Sequence, residues 1–244
     1  FGAMSASARE TYSRIEADAR TAFPDREIRW AFTATSLVAR LKQRGEPAQT
    51  LPEAYANLRA EGFRSAAVQS LHLVPGEKHH EVLAEDAQSL RLAFGAPLLE
   101  TEEDISGVAA DLLAELPVDR PVLVVAHGNG HEPRYNAELN ALGARLAKAR
   151  SDVFLTRLEG DEDETGLEHV LALAQAAGKV HVVPFLLVAG DHVQNDILRD
   201  EPDSLKSRLN VPDFSCGEAL GFRPWVRRRF LDRLRGALNT LGEA

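Results

Sequence analysis

The chain has a single cysteine, Cys216, so neither an intrachain disulfide nor an all-thiolate metal site can form. Long apolar runs are missing too. Nothing approaches the roughly eighteen consecutive apolar residues of a transmembrane helix, so no membrane partner is expected. Positive charge is in deficit: 28 Lys and Arg stand against 37 Asp and Glu, a net charge of −9. That argues against a nucleic-acid partner, which calls for a basic face. It leaves room for an anionic small ligand, because a few local cations overrule net charge. There is no G-x-x-x-x-G-K-[ST] loop, which excludes P-loop nucleotide hydrolysis. There is no G-x-S-x-G elbow, and Cys216 has no partner pattern for nucleophilic catalysis. Gly128-Asn129-Gly130 does not meet the spaced-glycine dinucleotide fingerprint. The chain opens Phe1-Gly2-Ala3-Met4 rather than on methionine, so an upstream segment is expected, with room in it for an export signal.

Helix-like and strand-like segments alternate through the 244 residues, a length suited to one large domain or two small ones. Residues 5–23 read as a helix closed by Pro24, 27–32 (EIRWAF) as a strand, and 36–44 as a helix stopped by Gly45. Thr50-Leu51-Pro52-Glu53 is a capping box that opens a helix to about Ala60. Residues 65–73 read as a strand, 79–92 as mostly helix, 93–99 as a short edge strand, and 103–116 as a helix ended by Pro117. The pattern then restarts. Residues 121–126 form a strand without polar alternation, as expected where both faces are buried in a parallel sheet. After it come helix 134–150, strand 152–158, helix 166–177, strand 180–188, helix 191–199, a short strand at 214–218 and helix 224–241. In that last helix, Arg227, Arg228 and Arg229 read as a solvated face. The pattern predicts an α/β fold of two similar Rossmann-like halves, with parallel sheets flanked by helices and a cleft between them. The expected halves are residues 1–116 and 117–222, with residues 223–244 returning to the first.

Ligands of open parallel sheets bind at the carboxyl ends of the strands. In the second half, three successive strands are followed by His127, Glu159 and His192, one β-α-β step apart. Neighbouring strands lie about 5 Å apart, so the three side chains can converge. Imidazole with carboxylate suits a divalent transition metal such as Co, Ni, Fe or Zn. The plainer reading of each residue is a loop histidine bonded to backbone, or a solvated acidic run (EGDEDE, residues 159–164). His131, four residues after His127, is a further candidate ligand. His72 ends a first-half strand and is a candidate for lining the cleft. His79, His80, His169 and His181 read as surface or helix positions without a role.

These motifs resemble those of the class II tetrapyrrole chelatases, most closely the anaerobic sirohydrochlorin cobaltochelatase family. Phe1-Gly2-Ala3-Met4 resembles the family's F-G-T-S turn, whose preceding strand is expected upstream of Phe1. Ala31-Phe32-Thr33-Ala34 and Val68-Gln69-Ser70-Leu71-His72 with Pro75-Gly76-Glu77 resemble its first half. His127-Gly128 with His131 resembles H-G-x-x-H. Leu186-Leu187-Val188-Ala189-Gly190-Asp191-His192 with Asn195-Asp196 resembles its most distinctive segment. The resemblance implies that His127 is metal ligand and proton acceptor, Glu159 its acidic partner and His192 the third metal contact. It implies insertion of Co²⁺ into sirohydrochlorin in cobalamin biosynthesis, without ATP or any required cofactor. The partners are then a tetrapyrrole and a metal ion. Arg40, Arg64 and Arg134 are candidates for its carboxylates, and His72 and His131 for substrate contact. Homo-oligomerisation is left open, and the expected compartment is the cytoplasm. Three other readings stand beside it: an iron or nickel chelatase, a non-catalytic metal or haem carrier, and a bilobed solute-binding protein.

Overall fold

The computed structural model describes residues 2–160, 167–190 and 192–242. Phe1, Gly166, Asp191 and most of the acidic run at 159–164 lie outside the described residues. The chain divides into two compact units, residues 1–98 with 224–244 and residues 99–223.

The first unit carries α1 (Ala6–Ala22), α2 (Thr35–Gln43), α3 (Leu51–Ala60), β1 (Ser65–Gln69), α4 (Glu77–Ala84) and β2 (Arg91–Gly95). The capping box at the start of α3 forms in both directions: Thr50 Oγ1 accepts from the Glu53 N–H and Glu53 Oε2 from the Thr50 N–H. Strands β1 and β2 pair in parallel, Ser65 opposite Arg91 through Gln69 opposite Gly95. Their side chains alternate. Val68 and Leu92 meet Tyr55 of α3 on one face.

The second unit carries α5 (Glu102–Glu115), β3 (Val122–Ala126), α6 (Ala137–Ala149), β4 (Val153–Arg157), α7 (Leu167–Ala177), β5 (Lys179–Phe185), α8 (Leu205–Leu209) and β6 (Asp213–Cys216). Its sheet is wholly parallel, in the order β4-β3-β5-β6. Every residue of β3 is buried, as its unalternating sequence predicts for a central strand covered on both faces. Leu123 and Val125 pack toward α7 and α8, with Val170, Ala174 and Leu209. Full burial of a Val or Leu side chain is worth about 1.5–3 kcal/mol, so this strand is a rigid base for whatever follows it. Helix α9 (Pro224–Thr240) returns to the first unit, where Ala237 covers Ala67 and Ala93 on the other face of the sheet.

Several expectations need correction. Residues 27–32 form no strand among the described residues. Only Phe32 bridges Thr50, and the Trp30 carbonyl is taken by the Gln49 side chain, so no ladder propagates. The helix expected at 79–92 stops at Ala84. Gln88 takes a left-handed φ of 54° over an Asp86 side-chain turn, and pairing with β1 draws Arg91 and Leu92 into β2. Helix α5, assigned to the first half by sequence, lies in the second unit. It buries Ile105, Val108 and Leu112, and Arg145 of α6 bonds Ser106. Residues 186–188 lie beyond β5, and the helix expected at 191–199 is a π-helical turn, His192–Ile197. Helix α8, not foreseen, is capped by Ser204. Arg227 is not a solvated residue: its side chain is 11% exposed and pairs with Asp18 at 2.6 Å. His79 is buried at 3% exposure. His181 lies half-buried in β5 with Nδ1 on Ser215 Oγ.

Candidate metal centre

His127 follows the last residue of β3, the strand flanked by β4 and β5. Backbone pairing continues one step past the strands. The Leu158 N–H donates to the Ala126 carbonyl and the Glu159 N–H to the His127 carbonyl at 2.8 Å. His127 and Glu159 are thereby fixed side by side, and Glu159 Oε1 stands 3.9 Å from His127 Nε2. His192 arrives from the other flank. It opens the π-helical turn after β5, whose Val193 and Ile197 are buried in the core. Burying those two positions turns His192 and Asp196, each one residue earlier, to the exposed side. Extra-wide turns of this kind are rare and recur at functional sites.

The two imidazoles meet edge to face, with ring centroids 4.5 Å apart and the Nε2 atoms 3.1 Å apart. Their outer nitrogens decide what lies between them. His127 Nδ1 is 2.8 Å from the Gly128 carbonyl, and His192 Nδ1 is 2.6 Å from Asp196 Oδ2. A carbonyl and a carboxylate accept only, so each Nδ1 carries the hydrogen. In the neutral rings both Nε2 atoms then present lone pairs to one another across 3.1 Å. Two lone pairs at that distance repel unless a cation lies between or beside them. Metal–nitrogen bonds of about 2.0–2.1 Å place two ligands of one ion about 3.0–3.4 Å apart, which brackets the observed spacing. Among the described residues, no three His, Cys, Asp or Glu side chains converge as a ready metal cage. The two imidazoles meet, and Glu159 stands beside His127 without completing a three-ligand set.

The loop under His127 is locked. Asn136, 3% exposed, accepts from the Asn129 N–H at 2.8 Å and donates to the Asn129 carbonyl at 3.0 Å. Asn129 Oδ1 in turn accepts from the N–H groups of His131 and Glu132. His131 is exposed and lies in this loop rather than in the imidazole pair. Gly128 and Gly160, both at positive φ, let the two turns close over the buried Arg157 side chain. Sequence reasoning missed Asn136 and Arg157, and it quoted Asp196 without a role. The spacing of four between His192 and Asp196 was the available signal. Carboxylates behind ligating histidines fix tautomer and ring orientation. Asp196→Asn is therefore expected to weaken Co²⁺ binding about 10–100-fold. The melting temperature should stay near wild type, because the pair is 46% exposed on both sides. Equilibrium dialysis and a thermal melt check both.

His72 belongs to the first unit, three residues past β1. Its Nδ1 lies 2.5 Å from Ser70 Oγ and its carbonyl accepts from the Leu98 N–H. Burial pushes its pKa down to about 3 from the usual 6.5. The folded chain refuses a proton that the unfolded chain takes up below 6.5. Stability is therefore full above that pH and falls by about 1.4 kcal/mol per unit as the pH drops toward 3. Replacing His72 by Phe is expected to shallow that acid slope, measured by urea unfolding of the metal-free chain at pH 7, 6, 5 and 4.

The cobalt chelatase (CbiK) family matches residues 1–239. The chain is 31% identical to the sirohydrochlorin cobaltochelatase of Salmonella typhimurium, covering 93% of this chain and 89% of that one. It is 30% identical to the sirohydrochlorin cobaltochelatase CbiKC of Nitratidesulfovibrio vulgaris, covering 88% and 79%. In fold it is similar to SirB from Bacillus subtilis with Fe³⁺, at a TM-score of 0.53 and 20% identity, covering 86% and 90%. It is likewise similar to CbiX, described as the terminal enzyme of sirohaem biosynthesis in denitrifying bacteria, at a TM-score of 0.56 and 16% identity, covering 97% and 96%. Among the described residues, no helix is long and apolar enough to cross a membrane. The chain belongs to the cobalt chelatase (CbiK) family.

Proposed function

We propose that this chain inserts Co²⁺ into sirohydrochlorin, with His127 and His192 holding the incoming ion and Glu159 and His127 removing the pyrrole protons. The observation that carries the reading is the pair of Nε2 atoms 3.1 Å apart, each ring fixed by a hydrogen bond on its far side. Two protons must leave the macrocycle for each divalent ion that enters. Released from the metal, His127 Nε2 has a free lone pair for one of them. Glu159, 46% exposed, is placed to pass protons to solvent. The ion itself lowers the pKa of any N–H it approaches. Nothing in this sequence of steps calls for ATP or a further cofactor. A biosynthetic reaction and a lone cysteine fit a cytoplasmic site of action.

Borderline metals share these ligands, so Fe²⁺ and Ni²⁺ are competing substrates. A carrier would need the imidazoles and not the carboxylate. The test is visible absorbance of sirohydrochlorin mixed with the protein and Co²⁺ under anaerobic conditions, without ATP, and then with Fe²⁺ and Ni²⁺. Growth of the metallated spectrum faster than the protein-free control supports the reading. No acceleration with any of the three metals rejects it.

A further inference from the structure

Outside this centre, one buried nitrogen in each of two imidazoles has no hydrogen-bond partner. Both belong to the first unit. His72 follows β1, at the carboxyl edge of the two-stranded sheet, and His79 sits in the first turn of α4. Their rings meet edge to face with centroids 6.2 Å apart. His72 Nε2 and His79 Nδ1 are both sealed from solvent and have no hydrogen-bond partner. A buried polar atom left unpaired costs about 1–3 kcal/mol. Here two such atoms, of a type that ligates metals, lie in adjacent rings.

We propose that His72 and His79 together bind a divalent transition-metal ion, as a second site separate from the His127–His192 centre. Ser70 Oγ next to His72 Nδ1 supplies the outer hydrogen bond that ligating histidines usually have. In the Nδ1–H tautomer, with that hydrogen donated to the hydroxyl, the buried Nε2 carries a lone pair open to a Lewis acid. From metal–nitrogen bonds of about 2.0–2.1 Å, two rings on one ion have centroids about 5 Å apart at a tetrahedral angle and about 6.4 Å apart when trans. The observed 6.2 Å corresponds to two ligands in near-trans positions on the ion. Imidazole donors without thiolate select Co²⁺, Ni²⁺ or Zn²⁺ over Mg²⁺ or Ca²⁺.

The test is equilibrium dialysis against CoCl₂ of the full chain carrying His127→Ala and His192→Ala, with folding checked by circular dichroism. About one equivalent of Co²⁺ should remain bound. Adding either His72→Asn or His79→Gln should remove it, while adding His131→Ala should not. In the reverse arm, His79→Gln in an otherwise wild-type chain should lower the stoichiometry by one and leave the imidazole pair of the second unit loaded. A folded double variant that binds no Co²⁺ overturns the proposal. Residual binding indifferent to His72→Asn and His79→Gln overturns it as well. The catalytic reading is tested separately, by what His127→Ala and His192→Ala remove from the wild type.

Discussion

Replacing either His127 or His192 by Ala is expected to remove nearly all catalysed cobalt insertion, a fall of at least about 10³-fold in kcat/KM. With one imidazole gone the ion keeps one fixed nitrogen and a carboxylate that stands 3.9 Å from His127 Nε2. Loss of a ligand from a two-imidazole set costs more than loss of the outer hydrogen bond that orients it, which alone is worth 10–100-fold. The two variants should differ in one respect. His192→Ala leaves His127 able to accept a proton, so its residual rate should rise with metal concentration. His127→Ala loses ligand and base together, and added Co²⁺ should not rescue it. Glu159→Gln separates enzyme from carrier. Co²⁺ binding should fall by less than about tenfold, while kcat falls by the 10²–10⁴-fold typical of a missing general base. A full rate in Glu159→Gln would assign proton removal elsewhere. Both side chains of the imidazole pair are more than 40% exposed, so none of these variants should unfold the chain, and melting temperatures within a few degrees are the control.

The strand ends of the second unit were legible because β3 buries every residue and then breaks into His127-Gly128. A run of β-branched residues without polar alternation has few other structures open to it, and the candidate ligand His127 follows as the next residue. The two-way capping box at Thr50 was equally readable, since its donors and acceptors lie within four residues. What was not legible depends on distant partners. EIRWAF has strand composition, yet a strand forms only where another backbone supplies a ladder, and here one bridge is made. Arg227 sits in a basic triplet that looks solvated, and only the fold brings Asp18 to it across 209 residues. His79 reads as one of two exposed histidines on a polar helix, yet α4 turns it inward. Asp196 lies at helical spacing from His192, but its role needs the wide turn that buries Val193 and Ile197 beneath them. The candidate ligands are thus local to strand ends, and what holds them in place is not.

Gly128→Val is expected to be the most damaging single change near the centre that replaces no candidate ligand. Gly128 has φ +78°, a region that L side chains seldom enter. A Cβ there would lie 2.2 Å from the Glu159 carbonyl oxygen and 2.8 Å from Arg157 Cβ. Neither neighbour can yield easily. The Glu159 backbone is held by its N–H bond to the His127 carbonyl, and Arg157 is 6% exposed at the end of β4. Left-handed backbone for a side-chain residue costs about 1–2 kcal/mol, and the overlap adds to it, so a loss of at least about 3 kcal/mol is expected in urea unfolding. Activity should fall further than stability explains. The Gly128 carbonyl fixes the His127 ring at 2.8 Å, and any shift of the turn separates His127 from Glu159 at the same time. The comparison variant is Gly236→Ala. That glycine lies inside α9 with nothing within 4 Å of the added Cβ, and it should gain about 0.5–1 kcal/mol from helix propensity. Folded Gly128→Val that kept its rate would mean that the turn gives way without moving the imidazole, and that the close packing of the 128 and 159 turns does not set the geometry of the centre.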